Sequence, residues 1–381
     1  MKKLSLWLTL GAAVVLVGGG CSQAPGPDGV GDNQVKNNAA DTSPIKLGYV
    51  GPLTGEAASL GNDGLAAAKI AVDEVNKAGG VNGRMLELVA EDGQCNPKVA
   101  TNAGNKLINV DKVPAIVGGL CSGETMAIAP MAEQNKVIMV STCSSAPTVT
   151  AAGDYIFRTY PSDAFQGKYA ADYVYTTMGK KKAAVMNPQG DYGVGIKNSF
   201  EARFKELGGE IVLSEEHATD NRDFRTTLTK IKASGAEVVY FPGYPEAVVA
   251  GAKQAKELNL GIPLFGADAW DDAKVTGNAV TNGYMYTVAS SDIKDENWVN
   301  KLKAVGANNT VCAPRAYDNV KILADVMKRV GTDTTKMKDE LYKVKDYAGV
   351  GGSVSFDSNG DMTTANYVVK LVKGGKAEAV K

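Results

Sequence analysis

From residue 45 onward the chain alternates between two hydrophobic periods. Short apolar runs that fit strands fall at 45–50, 86–90, 113–117, 137–141 and 155–159, and the stretches between them carry apolar residues at helical spacing. The stretch 62–77 puts Leu65, Ala68, Ile70, Ala71 and Val75 on one face and stops at Gly79-Gly80; 97–110 carries a second stripe. After Gly118-Gly119, Ser122-Gly-Glu-Thr opens a third helix with Met126, Ile128, Ala129, Met131 and Ala132 inward. Pro161-Ser-Asp begins a fourth, which carries Phe165, Tyr169, Ala170 and Tyr173. The pattern then restarts. Strands at 182–186, 210–213, 237–241, 263–266 and 282–288 are predicted, with helices at 194–207, 224–233 and 246–258 between them. Helices at 315–330 and 335–344 return the chain to the first set, and 353–356, Asn359-Gly-Asp and 367–372 predict a closing hairpin. Repeated strand–helix units mean α/β architecture, a parallel sheet with helices on both faces.

One stretch of this pattern carries candidate chemistry. Residues 118–150 predict a strand end, a helix, a second strand, and a second helix start at Ser144-Ser145-Ala146-Pro147, hydroxyls followed by proline in the first turn. Two helix N-termini would then open at one sheet edge, each with serine hydroxyls and unpaired backbone N–H groups, a site for a small anion such as a carboxylate. Either serine alone could simply cap its helix. Their repetition on adjacent strands, at the carboxyl ends where open α/β sheets bind ligands, favours a site.

Composition narrows the classes. The 381 residues are 44% hydrophobic and 22% charged with net charge −1, so two domains of ordinary size are expected, and nucleic acid or an anionic membrane surface is not a partner. The one histidine, His217, sits in a polar stretch where a solvated side chain is expected; it leaves no basis for a zinc site or a histidine-based triad. No phosphate loop, metal cluster or nucleophile–base pair is present, so no enzyme, metal or cofactor is expected.

The N-terminus reads as targeting sequence. Lys2-Lys3, the apolar run 4–17 and Gly18-Gly19-Gly20-Cys21 resemble the signal and lipobox of bacterial lipoproteins, with Cys21 lipidated. Gly18 departs from the usual leucine, which leaves ordinary signal cleavage open. Residues 22–44, polar and broken by prolines and glycines, read as a flexible tether. Export implies an oxidising compartment, and the four remaining cysteines allow three connectivities. Cys95 and Cys121 both lie where strands run into loops, and a bridge there would stabilise by about 3 kcal/mol. Cys143 and Cys312 fit either two reduced residues or a second bridge.

Several segments, among them GYVGPLTGEAASLGNDGLAAAKIAVDEVNKAGGVNG, EDGQCNP, VGGLCSGETMAIAPMAE, STCSSAPTVT, FRTYPSDAFQGKYAADY, NPQGDYGVG and FPGYPE, resemble the branched-chain amino-acid-binding proteins of ABC importers. That resemblance implies the type I periplasmic-binding fold: two doubly wound parallel-sheet lobes joined by three crossovers, with a ligand cleft between. The lobes would comprise residues 45–161 with 290–362, and 162–289 with 363–381. It further implies that Ser122 binds a ligand carboxylate, that the Cys143 carbonyl accepts from an α-ammonium, and that Ser145 bonds both groups. Tyr192 and Tyr244 would be an aromatic pair from the second lobe, Asp268 the acid that pairs with the ammonium, and Cys95–Cys121 the family's disulfide. Leu60, Trp270 and Cys312 fall at the side-chain end of the implied pocket, where this chain departs from the family, and Arg315 leaves a polar or acidic ligand side chain open. The expected function is a lipid-anchored, monomeric binding protein that captures a free amino acid for an ABC permease. The alternative is the same module as a sensor that signals to a regulator or chemoreceptor.

Overall fold

The computed structural model describes residues 41–290, 296–308, 311–363 and 366–380. The signal segment 1–21, Cys21 and tether residues 22–40 lie outside the described residues. The first set of elements is β1 (Ile45–Gly51), α1 (Ala58–Lys77), β2 (Leu86–Asp92), α2 (Pro97–Asn105), β3 (Ala115–Gly118), α3 (Ser122–Asn135), β4 (Ile138–Ser141) and β5 (Ile156–Arg158). The second runs α4 (Asp163–Asp172), β6 (Lys182–Pro188), α5 (Asp191–Glu206), β7 (Glu210–His217), α6 (Arg225–Ala233), β8 (Val238–Tyr240), α7 (Pro245–Glu257), β9 (Leu264–Gly266), α8 (Ala273–Thr276) and β10 (Met285–Ala289). The chain closes with α9 (Glu296–Ala304), α10 (Ala313–Val330), α11 (Thr334–Leu341), β11 (Tyr347–Gly349), β12 (Gly352–Val354), β13 (Tyr367–Lys373) and β14 (Lys376–Ala379).

Two sheets form, and the sequence says why each is parallel. Strands β1, β3 and β4 are almost wholly buried apolar runs, which suits a sheet covered by helices on both faces. The first sheet is parallel in the order β2-β1-β3-β4-β5. One of its faces packs on α1 and α10 through residues such as Leu47, Val117, Val140, Val320 and Leu323; the other packs on α2 and α3 through Ile116, Met139, Leu107 and Ile128. In the second sheet, ordered β14-β13-β10-β9-β8-β6-β7, the five strands from β10 to β7 are parallel and β13 and β14 add antiparallel pairs at one edge. The chain passes between the sheets three times: after β5, after β10 and before β13. The fold is thus two α/β lobes joined by three crossovers.

Two local expectations are corrected. Residues 353–356 do not form a hairpin with 367–372. Instead β12 turns back on β11 through Gly351, while β13 pairs with β10 and, across Gly374-Gly375, with β14. Both glycines of that turn have positive φ, 58° and 80°, the backbone a tight hairpin turn requires. Ser144-Ser145-Ala146-Pro147 opens no α-helix either: Pro147–Ala151 is a single five-residue 3-10 helix, because Ser144 and Ser145 are drawn into tertiary hydrogen bonds.

The crossover after β5 is anchored by a buried ion pair. Arg158, at the end of β5, donates from Nε to Asp361 Oδ1 at 2.6 Å, from Nη2 to Asp361 Oδ2 at 2.6 Å and to Thr150 Oγ1 at 2.8 Å, and from Nη1 to the Ala146 carbonyl at 2.9 Å. Asp361→Ala would leave that guanidinium buried without its anion, and urea denaturation should show a loss of about 3–5 kcal/mol. A change below about 1 kcal/mol, the range of exposed pairs, would mean that water already reaches the arginine.

Candidate functional site

The N-terminal lobe presents its strand ends through a turn that only glycine allows. Gly118 and Gly119 have φ of 128° and 41°; a Cβ on Gly118 would lie 2.0 Å from the Val50 carbonyl oxygen, and one on Gly119 2.1 Å from Thr125 Oγ1. The chain therefore folds directly from β3 into α3. Glu124 holds the helix start: fully buried, its carboxylate accepts from the backbone N–H of Leu120, Cys121 and Cys95, each at 3.0 Å. Ser122 is not the cap of its own helix. It is the first helical residue, and its Oγ accepts from the Ala146 N–H at 3.1 Å, so its proton stays available to a ligand. The β4 end is sewn to this turn, with Ser141 Oγ and Ser144 Oγ donating to the Gly119 carbonyl at 2.7 and 2.8 Å.

The C-terminal lobe supplies the opposite wall. Tyr192, on the first turn of α5, donates its hydroxyl to Asp268 Oδ1 at 2.9 Å, and its ring lies 5.4 Å from that of Tyr244, which precedes Pro245 at the start of α7. Asp268 follows β9 in a 3-10 turn and is buried. Closure between the lobes is tight. A Cβ on Gly195 of α5 would come within 2.6 Å of Pro147 Cδ on the other lobe, and Arg222 pairs with Glu56 across the rim.

Between these walls lies a cavity with about 320 Å³ of space free of atoms, an upper bound that includes space open to solvent. Leu60, Ser122, Cys143, Ser145, Tyr192, Tyr244, Asp268 and Cys312 all line it, together with Leu120, Cys121, Ala269 and Val311. Trp270 does not. It is fully buried in the C-terminal core, where its Nε1 donates to the Phe241 carbonyl at 2.9 Å. The indole packs on Gly266, whose missing Cβ would meet it at 2.2 Å. Arg315 is absent from this wall too. His217 departs from the solvated side chain expected: its ring packs edge-on against Phe224 with centroids 4.9 Å apart.

Sequence reasoning missed one acid. Asp163 is fully buried at the start of α4, accepts from Ser145 Oγ at 2.8 Å through Oδ2, and leaves Oδ1 without a partner. Its signal was the cap pattern Pro161-Ser-Asp, which explains a helix start and gives no hint of burial. Burial pushes Asp268 up to about 6, offset in part by the Tyr192 hydrogen bond. Burial, and then the charge of Asp268, hold Asp163 well above the usual carboxylate range. Two acids this close in an apolar surround resist double ionisation. When Asp163 keeps its proton, its contact with Ser145 can reverse and free the serine hydroxyl to donate.

Both cysteine pairs are bridged. Cys95–Cys121 has Cα atoms 5.2 Å apart, and Cys143–Cys312, left open by the sequence, has them 5.6 Å apart. The second bridge lines the cavity and ties the β4 end to the N-cap of α10, 169 residues away. Among the described residues the one group of potential metal ligands is Cys95, Cys121 and Glu124. Its sulfurs are bonded to each other and its carboxylate is taken up by three amides.

Two closed lobes with a small polar-ended cavity at their strand termini define a two-lobed solute-binding protein of the type I periplasmic fold. The chain belongs to the periplasmic binding protein family, whose model matches residues 44–376. It is a binding protein, not an enzyme, of an exported family. It is 30% identical over 338 residues to the leucine-, isoleucine-, valine-, threonine- and alanine-binding protein of Pseudomonas aeruginosa, covering 87% of this chain and 90% of that one. A leucine-binding protein, LivK, from Thermotoga maritima superposes with a TM-score of 0.81 at 28% identity, covering 88% of this chain and 98% of that one. The branched-chain amino-acid transporter substrate-binding protein LivJ of Streptococcus pneumoniae, solved with isoleucine, gives 0.80 at 28%, over 89% and 99%.

The long-range bridge carries a stability prediction. Replacing both Cys143 and Cys312 by serine should lower unfolding free energy by about 2–4 kcal/mol in oxidising urea melts. Unchanged stability would show that the pair does not constrain the unfolded chain.

Proposed function

We propose that this protein is the lipid-anchored substrate-binding component of an amino-acid ABC importer, which captures a free α-amino acid by lobe closure and hands it to a membrane permease. The observation that carries this reading is the polarity of one cavity. At one end are the Ser122 hydroxyl and the α3 N-terminus; at the other is the buried carboxylate of Asp268. A zwitterion needs donors for its carboxylate and an anion for its ammonium. In this reading the Cys143 carbonyl accepts from the ammonium, the Ser145 hydroxyl serves either group, and Tyr192 and Tyr244 cover the guest. In this reading the lobes divide at residues 161/162, 289/290 and 362/363. Residues 1–21 direct export, Cys21 carries the acyl anchor, residues 22–44 tether a monomeric body, and the one membrane contact is through the lipid.

The rest of the wall describes the guest's side chain. Leu60, Leu120, Ala269, Val311 and the Cys143–Cys312 bridge are apolar, and among the described lining residues there is no cation. A small or branched aliphatic side chain is therefore favoured over an acidic one, in keeping with the ligands named for the Pseudomonas and Streptococcus relatives. A thermal-shift screen of the proteinogenic amino acids tests this. Leucine, isoleucine, valine, threonine or alanine should raise Tm, whereas aspartate and glutamate should not. A screen in which no α-amino acid shifts Tm would end the proposal.

Three finer outcomes follow from the residues. Asp268→Ala should weaken binding by about 2–5 kcal/mol, because the ammonium would be buried unpaired; unchanged calorimetry would remove Asp268 from the site. Ser122→Ala should cost less, about 1 kcal/mol, since the backbone N–H remains. Affinity should also depend on pH. With its carboxyl raised to about 6, Asp268 is ionised above pH 7 and binding is level there. Below 6 protons compete with the ammonium, and affinity should fall towards tenfold per pH unit. Equal affinity at pH 7 and pH 5 would contradict this.

A further inference from the structure

A second cavity lies behind the crossovers, apart from the interlobe site. Pro161, Ser290 and Asn366 line it from the three crossovers, one from each, and Arg315 and Ser353 line it from the N-terminal lobe. It holds about 570 Å³ of space free of atoms, part of it open to solvent. The crossovers are bonded to one another around it: the Ser290 N–H donates to the Asn366 carbonyl at 2.7 Å, and the Tyr367 hydroxyl to the Ser162 carbonyl at 3.2 Å.

Arg315 is the feature that needs explaining. It is only 3% exposed, its Nη1 is out of water without a partner, and it makes no hydrogen bond or ion pair among the described residues. Arg158, equally buried, has every one of its nitrogens occupied. The acid one turn along α10, Asp318, is within electrostatic reach of Arg315, but its oxygens accept from the Val350 and Gly351 N–H groups at 2.8 Å each. Gly351 lets the chain lie against the guanidinium; a Cβ there would sit 3.0 Å from Nε. A guanidinium keeps its charge when buried; Asp318 offsets that charge from nearby without a hydrogen bond to it, and a buried guanidinium with no bonded partner is unfavourable next to a neutral side chain of the same shape. Among the described residues no acid lines the cavity; Ser290, Ser353 and Asn366 offer neutral donors.

We propose that this hinge cavity binds a small oxyanion, inorganic phosphate or sulfate, in the fork of Arg315, and that the bound anion favours the closed arrangement of the lobes. The fork geometry suits an oxyanion better than a spherical halide. Coupling to closure follows from the walls: three of the lining residues belong to the crossovers, which must move when the lobes part, so the site is complete only in the closed form. By reciprocity, the anion then raises affinity for the interlobe guest, and the guest raises affinity for the anion. The anion site stands without the amino-acid reading; its coupling to guest affinity rests on it.

The test is thermal melting of the full protein in rising phosphate or sulfate, against chloride at matched ionic strength, without and then with an amino acid from the screen. Wild-type Tm should rise with phosphate and sulfate and stay level with chloride. Arg315→Met should melt no lower than wild type in chloride and show no phosphate response. Amino-acid affinity by calorimetry should improve about fivefold or more in saturating phosphate, the lower end of ordinary coupling. A wild-type Tm indifferent to phosphate, an equal response to chloride, or an undiminished response in Arg315→Met would each overturn the site. Should Arg315→Met not fold, phosphate calorimetry on wild type and Arg315→Lys decides, since loss of the fork should weaken binding by about tenfold. A phosphate shift in a protein that no amino acid stabilises would keep the anion site and remove the amino-acid reading.

Discussion

A carboxylate held out of water, with no cation beside it among the described residues, is the constraint that organises this molecule. Asp268 follows a parallel strand, buried in the cavity wall beside Tyr192 and Tyr244, and the side chains that donate to it are the neutral hydroxyls of Tyr192 and Tyr160. Arg158, at the end of β5, is within electrostatic reach of Asp163, but its fork is spent on Asp361. Asp163 adds a second buried carboxyl and no relief. Ionised, this pair calls for a cation from outside; neutral, it calls for hydrogen-bond partners. A guest that brings an ammonium at one end and a carboxylate at the other satisfies both walls at once.

The donor wall shows how little sequence such a site needs. Two glycines fold β3 straight into α3, one buried glutamate gathers the loose amides of the turn, and the serines bind the neighbouring strand end in place. The donors are therefore fixed before any ligand arrives, which reduces the ordering cost of binding. The Cys95–Cys121 bridge sits on the same turn, and Glu124 reaches Cys95 as well as Cys121. Rigidity is concentrated on the side that would present N–H groups to a carboxylate in the proposed reading.

The fold was legible because its signals are local: apolar strands at regular spacing, helices with one stripe, glycine stops. The cavity lining was legible for a different reason. Ser122, Tyr192, Tyr244 and Asp268 all directly follow strands, and strand ends in a parallel sheet converge. What escaped was long-range. Asp163 looks like an ordinary helix start, and Asp361, more than two hundred residues from Arg158, has no local mark as its counter-ion. The terminal hairpin failed for the same reason: Tyr367–Lys373 reads as a strand, but only the tertiary register with β10 on one side and β14 on the other decides its partners. Trp270 was misplaced because the space left by Gly266 draws the indole into the core, and neither residue alone announces that.

Closure has two opposing contributions, and their balance determines how the protein responds to its guest. One apolar cluster runs from Phe200, Tyr240 and Phe265 of the C-terminal lobe across the cleft to Leu60, Leu120 and Cys312. Burial of that surface draws the lobes together whether or not a guest is present, since hydrophobic attraction is not directional. Desolvating Asp268 pushes the other way, and the penalty is greatest in the closed form. A cationic guest removes that penalty and leaves the apolar attraction unopposed. In the amino-acid reading proposed above, the shift from open to closed would be set by the charge the guest delivers, while the shape of the apolar wall would decide which guest fits.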